Sequence, residues 1–274
     1  MIIKQAMRRL KASRRKTELA RGISRQKSVG KRHLHALAEE FRANLVNVPL
    51  VRIGGNGDGG YLLPNDFDGI RHCFSPGVST TADFEEHVAR SFGIKSYMAD
   101  ASVERPPFDN PLFEFDPKFL GAHLDETFTT LEAWVEDKLG EDGDQDLLLQ
   151  MDIEGGEFEV LIESDKSLLR RFRMMVIEFH RMERIFEQNS LPLIHALFKK
   201  LHQDFVIVHF HANNCCGIAK CRDVGIPRVF EISYLRRDRV ANLAKGAPMI
   251  LPHALDRPNV PENADIVMPE LWWR

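Results

Sequence analysis

Cysteine is scarce in this sequence. Its 274 residues include four, Cys73, Cys215, Cys216 and Cys221, too few and too clustered to staple a fold through a disulfide framework. Long apolar runs are missing as well, none approaching the roughly 18–20 residues that a membrane span needs. The opening Met1-Ile2-Ile3 passes at once to Lys4, Arg8 and Arg9, without the apolar core and cleavage site of a signal peptide, so a cytoplasmic location is expected. Net charge is only −3, and nothing in that balance indicates a nucleic-acid partner. There is no internal repeat. What remains is ordinary for a globular chain: 43% hydrophobic and 28% charged residues can supply one α/β domain of about 200–250 residues with a full core, plus a short extension.

The charge is unevenly placed. Between Lys4 and Arg32 about a dozen Lys and Arg face the single acid Glu18, which reads as a basic arm and leaves the remainder clearly acidic. Composition favours a solvated leader. Ile2, Ile3, Met7 and Leu10 could also form a short apolar stripe on a basic amphipathic helix, suited to peripheral contact with a membrane or another anionic surface. The expected division is therefore an arm over residues 1–32 and one domain over 33–274. That domain would comprise a helix and hairpin (33–69), a core (70–240) and a C-terminal extension (241–274).

Residues 33–46 carry Leu34, Leu37, Ala38, Phe41 and Leu45 at helical spacing. Next, Gly55-Asn-Gly57-Asp-Gly-Gly60 fits the dinucleotide fingerprint G-x-G-x-x-G. That fingerprint must open a helix whose N-terminus holds a pyrophosphate. Here Tyr61-Leu-Leu-Pro64 follows, so a glycine-rich β-hairpin is the better reading, with Asp58-Gly59 as turn signal. From residue 70 short apolar strands alternate with helical stretches. Strands are expected at 70–75, 94–99, 146–151, 173–179, 205–210 and 229–235. Helices are expected at 83–92, 130–139 (capped by Thr130), 157–162 and 191–202. Residues 113–120 are ambiguous because Pro111 and Pro117 interrupt them. Such alternation argues for a doubly wound sheet.

In an open α/β sheet the ligand lies beyond the carboxyl ends of the strands, so chemistry is sought there. After the first strand stands Ser75-Pro-Gly77-Val-Ser79, where Gly77 permits close approach of a ligand and Ser79, Thr80 and Thr81 offer donors. Asp83 with Glu86 would form a capping box. After the second stands Asp100, at the spacing from Gly77 where a carboxylate usually holds a ribose diol. After the central strand stands Asp152-Ile-Glu154-Gly-Gly-Glu157. Helix capping suits Glu154 or Glu157 alone but explains this anionic cluster poorly, because buried carboxylates are costly unless matched. The next strands end in Glu178-Phe-His180 and His209-Phe-His211-Ala-Asn213-Asn214. Asp152, Glu178, His180 and His211 would then meet in one crevice and supply a general base. The same region offers a divalent site at Asp152, Glu178 and His211 as a lesser alternative. Spacing does not match structural zinc, and Cys215 and Cys216 are expected to pack as small apolar residues.

Leu149-Gln-Met-Asp-Ile-Glu-Gly-Gly-Glu157 resembles the K-x-D-x-E-G-x-E signature of the FkbM family of methyltransferases. The order of the other segments is similar too: the turn at 75–79, Asp100, Thr130-Leu131, and the strand ending Ile177-Glu178-Phe-His180. The Arg52…Asp58-Gly-Gly-Tyr61 hairpin and His211-x-Asn213-Asn214 resemble a bacterial branch. Gln150 replaces the family's frequent lysine, and the first turn has one glycine in place of D-x-G-x-x-x-G. The resemblance, over residues 50–240, implies a class I methyltransferase (Rossmann-like) α/β fold with a mostly parallel seven-stranded sheet. It implies S-adenosylmethionine as cofactor and a hydroxyl acceptor, often on a sugar or glycosylated compound. Ser75, Gly77, Ser79, Asp100 and Asp152 would bind the cofactor. Asp152 or His180 would act as base, with Glu154 and Glu178 orienting the acceptor. The alternatives are a nucleotide-sugar-using transferase on the same fold, and a non-catalytic module that binds through its basic arm.

Overall fold

A computed structural model describes Ala20, residues 27–140 and residues 145–274; most of the expected basic arm lies outside the described residues. The first helix, α1 (Lys31–Ala43), buries Leu34, Leu37, Ala38 and Phe41, the i, i+3, i+4, i+7 stripe of one helical face. Strands β1 (Leu50–Gly54) and β2 (Gly60–Pro64) pair antiparallel, with Ile53 opposite Tyr61, so the glycine-rich segment is a hairpin. Arg52 staples its loop through the carbonyls of Gly55 at 2.7 Å and Gly57 at 3.0 Å.

The core follows as β3 (His72–Pro76), α2 (Asp83–Phe92), β4 (Lys95–Ala99) and β5 (Phe113–Asp116). The short pair β6 (Phe119–Leu120) and β7 (Phe128–Thr129) leads to α3 (Leu131–Leu139), opened by Thr130 accepting from the Ala133 N–H at 3.2 Å. Then come β8 (Leu147–Met151), α4 (Glu157–Glu163), α5 (Lys166–Leu169), β9 (Phe172–Phe179), α6 (Leu191–Leu201) and β10 (Phe205–Ala212). A hairpin of β11 (Ile218–Cys221) and β12 (Val224–Pro227) precedes β13 (Phe230–Arg236).

Seven strands form one sheet in the order β10-β13-β9-β8-β3-β4-β5. Strand β13 runs antiparallel to both neighbours, and the other pairings are parallel. The expected doubly wound, mostly parallel seven-stranded sheet is therefore present. From β3 the chain winds outward through β4 and β5, then returns to β8 and winds the other way. The reversal lies between β3 and β8, where a crevice opens beyond the strand ends. Strand β8 is buried along its whole length, as expected of a parallel strand covered on both faces. Its side chains alternate. Leu147, Leu149 and Met151 join the cluster of Phe41, Trp134 and Phe198 from α1, α3 and α6. Leu148 points the other way, to Ile53, Leu63 and Phe84 of the hairpin and α2.

Some expectations fail locally. No capping box forms at α2: Ala82 is the N-cap, no side chain bonds it, and Glu86 accepts from Asn110 at 2.8 Å. Asp83 already lies inside the first turn, where its carboxylate faces the helix dipole. The ambiguous residues 113–120 are resolved as edge strand β5 and β6, because the prolines fall just outside the ladder. Cys215 and Cys216 do not pack inside. They are exposed on the turn before β11 and joined by a disulfide. Asn213 and Asn214 take the buried positions, and Cys215 N–H donates to Asn213 Oδ1 at 2.9 Å, which turns the chain outward. Among the described residues no helix is long and apolar enough to cross a membrane.

Candidate active site

Three tight turns bound the crevice. After β3, Gly77 has φ +88°, and a Cβ there would lie 1.5 Å from the carbonyl oxygen of Asp152. Only glycine lets the β3 and β8 turns touch this closely. Ser79, Glu154 and Arg181 have φ of 48°, 55° and 55°, a left-handed conformation unfavourable for residues with a Cβ. These three strained residues follow β3, β8 and β9, and backbone strain of this kind gathers at functional sites.

A cavity of about 370 Å³ opens between the β3, β4 and β8 turns. Gly77, Ser79, Asp100 and Asp152 line it, so four of the five residues expected at the cofactor share one wall. Asp100 accepts from the Ser79 N–H at 2.8 Å and from the Ser102 N–H at 2.7 Å, which ties the first two turns together. Phe119, Leu120, Phe128 and Ile153 supply an apolar side. Ser75 is the exception. It is fully buried behind the cavity, where its hydroxyl bonds to Glu85 and, at 2.6 Å, to Gln150 Oε1. One residue before the strand end, its side chain points into the layer under α2 rather than into the crevice.

Beyond the cavity, Asp152, Glu154, Glu178 and His180 converge. His180 Nε2 stands 3.4 Å from Glu154, 3.5 Å from Glu178 and 3.8 Å from Asp152. Its Nδ1 lies 3.0 Å from Oε1 of Glu157. That same oxygen accepts from the N–H groups of Gly155 at 2.9 Å and Ile153 at 3.3 Å. Glu157 is fully buried. A buried carboxylate against Nδ1 fixes that nitrogen as an N–H donor and turns Nε2 toward the other acids. Burial pushes the Asp152 carboxyl up to about 7, against the pull of His180. Burial, then the Asp152 charge, holds Glu178 well above the usual carboxylate range. Burial works against charge on His180, but the Glu157 hydrogen bond and the surrounding carboxylates prevail and raise its pKa.

His211 does not reach this cluster. It lies two strands away on β10, paired at 3.3 Å with Glu231 of β13, so the divalent set expected at Asp152, Glu178 and His211 is corrected: His180 stands where His211 was placed. Strand order explains it, because β13 inserts between β9 and β10. Sequence reasoning missed three neighbours. Glu157 looked like a helix cap and is also the partner of His180; its spacing within the signature was the available signal. Asn213 donates to Glu178 at 3.0 Å. Asn259, from the C-terminal extension, donates to Glu231 at 2.8 Å and toward Asp58 of the hairpin at 3.3 Å. Nothing in the local sequence marks Asn259, since its role depends on the extension folding back across the strand ends.

Residues 77–206 match the model of the methyltransferase FkbM domain. Similar solved structures include the fibrillarin/Nop5p complex, 13% identical over 70% of this chain and 98% of that one (TM-score 0.38). Another is human methyltransferase 10 domain containing protein, 11% identical over 74% and 81% (TM-score 0.33). No curated protein sequence matches the chain. The matched segment begins at the turn glycine, carries the Asp152–Glu157 signature and His180, and ends within β10. A little under half of this chain, residues 77–206, is thus similar to the FkbM methyltransferase domain.

Proposed function

We propose that the protein transfers a methyl group from S-adenosylmethionine to a hydroxyl oxygen of a sugar or glycoconjugate. The observation that carries this is the position of Asp152, which lines the 370 Å³ cavity and also joins the carboxylate–histidine cluster. The cavity suits the cofactor. Gly77 lets the β3 turn pack directly on the Asp152 carbonyl, which brings the two turns together at the cavity wall. Phe119, Leu120 and Phe128 offer an apolar slot for an adenine, Asp100 stands ready for a ribose diol, and Asp152 and Glu154 give an anionic side for a sulfonium. When bound, S-adenosylmethionine supplies an electrophilic methyl group.

The chain's own residues do the rest. Much of the rate of an in-line displacement comes from alignment, which the three turns provide through Gly77 and the Asp100 hydrogen bonds. Asp152, with its carboxyl near 7, takes the proton as the hydroxyl attacks. Glu157 holds His180, and His180 in turn holds the acidic side chains around it. Buried acceptor oxygens on Asp152, Glu178 and Asn259 have no donor among the described residues. A polyhydroxylated acceptor brings such donors, which supports a carbohydrate over an apolar alcohol.

Isothermal titration with S-adenosylmethionine and S-adenosylhomocysteine tests the cofactor: saturable binding of both is expected. Binding of a nucleotide sugar with no response to S-adenosylhomocysteine would sink the proposal. The base is tested by Asp152→Asn, which should lower methyl transfer by about 10²-fold or more at saturating cofactor. Wild-type turnover in that variant rules the assignment out.

A further inference from the structure

Asp152, Glu178 and His180 are arranged more closely than proton transfer requires. Each offers one ligand atom, and these atoms lie within 4.8 Å of one another. Opposed ligands around a divalent cation, with bonds of about 2.0–2.2 Å, stand about 4.3 Å apart. A contraction of a few tenths of an ångström would close the shell.

We propose that Asp152, Glu178 and His180 bind one divalent transition-metal cation, with Mn2+ the representative ion, whose open positions take two neighbouring hydroxyls of the acceptor. The acceptor half of this rests on the methyltransferase reading above; the cation half does not.

Three independent features support the site. The first is unmet polarity. The Glu178 side chain is only 5% exposed, yet its Oε2 has no partner among the described residues. Asp152 Oδ1, which faces His180 Nε2 at 3.8 Å, is likewise buried and unpartnered. Among the described residues no lysine or arginine lies within ion-pairing distance of Asp152, Glu154 or Glu178; their cationic neighbour is His180. Buried carboxylate oxygens left without a donor are costly, and a cation would satisfy them together.

The second feature is how His180 is held. Ligating histidines usually donate their other ring N–H to a carboxylate, which sets the ring and its tautomer. Glu157 does this at 3.0 Å and leaves Nε2 toward the acids. The third is a reserve ligand. Glu154 is 87% exposed, and its carboxylate reaches within 3.4 Å of Nε2, so it can turn in to complete the shell or turn out to admit the acceptor. The donor set also indicates the ion. Imidazole with carboxylates suits a first-row transition ion, whereas Mg2+ and Ca2+ prefer all-oxygen shells. A hydroxyl bound to such a cation would lose its proton more readily, so Asp152, held as a ligand, would need to be only a weak base.

The test is a Mn2+ titration of the full chain, stripped with a chelator and desalted, followed by electron paramagnetic resonance without cofactor. One saturable site is expected. Glu178→Gln, which keeps the side chain's shape, and His180→Asn should each weaken it at least tenfold. Glu159→Gln, exposed on α4, should leave it unchanged. Mn2+ should also raise the thermal midpoint of the wild type and not that of Glu178→Gln. If either variant does not fold, Asp152→Asn takes its place. Absence of a saturable site, or equal affinity in wild type and the folded variants, overturns the proposal. S-adenosylhomocysteine titration in chelator separates the two readings: its binding without a Mn2+ site removes the cation alone, and a Mn2+ site without its binding removes the cofactor alone.

Discussion

Glu157 shows how much can depend on one buried side chain. Its Oε1 gathers the N–H groups of Ile153 and Gly155 and the Nδ1 of His180, so it shapes the signature turn and fixes the imidazole in one step. Glu157→Gln keeps the size but removes the charge that orients and favours the imidazolium. The expected result is a fall in kcat of roughly 10–100-fold, with S-adenosylhomocysteine affinity within about threefold of wild type. A parallel loss of cofactor affinity would show that the residue merely supports the turn. Gly77 carries the opposite kind of constraint, set by backbone space. Gly77→Ala must move the Asp152 carbonyl or leave the left-handed region. Cofactor binding should be lost together with thermal stability, and unchanged calorimetric titration would refute the close packing of the two turns.

At the scale of elements, strand β8 is what delivers Asp152. It is buried on both faces, and it pairs with β3 and β9. Asp152 continues the ladder, donating from its N–H to the Pro76 carbonyl at 3.2 Å, so the carboxylate is fixed by sheet geometry. Leu149→Ala should destabilise the protein by about 2–5 kcal/mol, measured from the denaturant midpoint at constant m-value. The hairpin of β1 and β2 does here what a helix does on the other face. Its Leu62 carbonyl accepts from Ser233 at 2.6 Å, and its Tyr61 hydroxyl accepts from Gln150 at 3.1 Å. The second bond links β2 of the hairpin to the strand that leads into Asp152.

Across the whole molecule, buried titratable groups outside the crevice set how stability follows pH. Burial raises Glu85 to about 7, with its bond from Ser75 opposing. Folded Glu85 therefore holds its proton more tightly than the unfolded chain does, and stability falls as pH rises from about 4.5 to 7. Glu85→Gln should remove that part of the slope, on the order of 3 kcal/mol. His211 behaves differently. Burial opposes its charge, but Glu231 outweighs burial and brings it to about 9. Its contribution is complete below about 6.5 and is lost as pH rises through 9. His211→Gln should flatten the alkaline limb of a thermal-midpoint profile. A limb that stays equally steep would mean that the His211–Glu231 pair is not its source.

Much of this was legible in the residues. Period-two and period-3.6 patterns located the helices and most strands, because burial on one face or both must be written in the apolar positions. The failure of Tyr61-Leu-Leu-Pro64 to open a helix identified the hairpin, and the acids after three strands marked the crevice. Asp152 follows β8, and Glu178 and His180 stand at the end of β9, its neighbour in the sheet, so their meeting follows from parallel pairing. Strand order at the far edge was not legible. That β13 enters between β9 and β10, which carries His211 away from the cluster, depends on long-range pairing that no local pattern records. The contacts of Asn259 depend likewise on where a distant segment settles, whereas the bridge between neighbouring Cys215 and Cys216 depends on the local turn. The sequence by itself determined the strand ends and the chemistry they carry, since those follow from local periodicity and residue type. Only the tertiary structure decided which carboxylate faces which nitrogen, because that is set by sheet order and by the few tenths of an ångström that separate a hydrogen bond from a near miss.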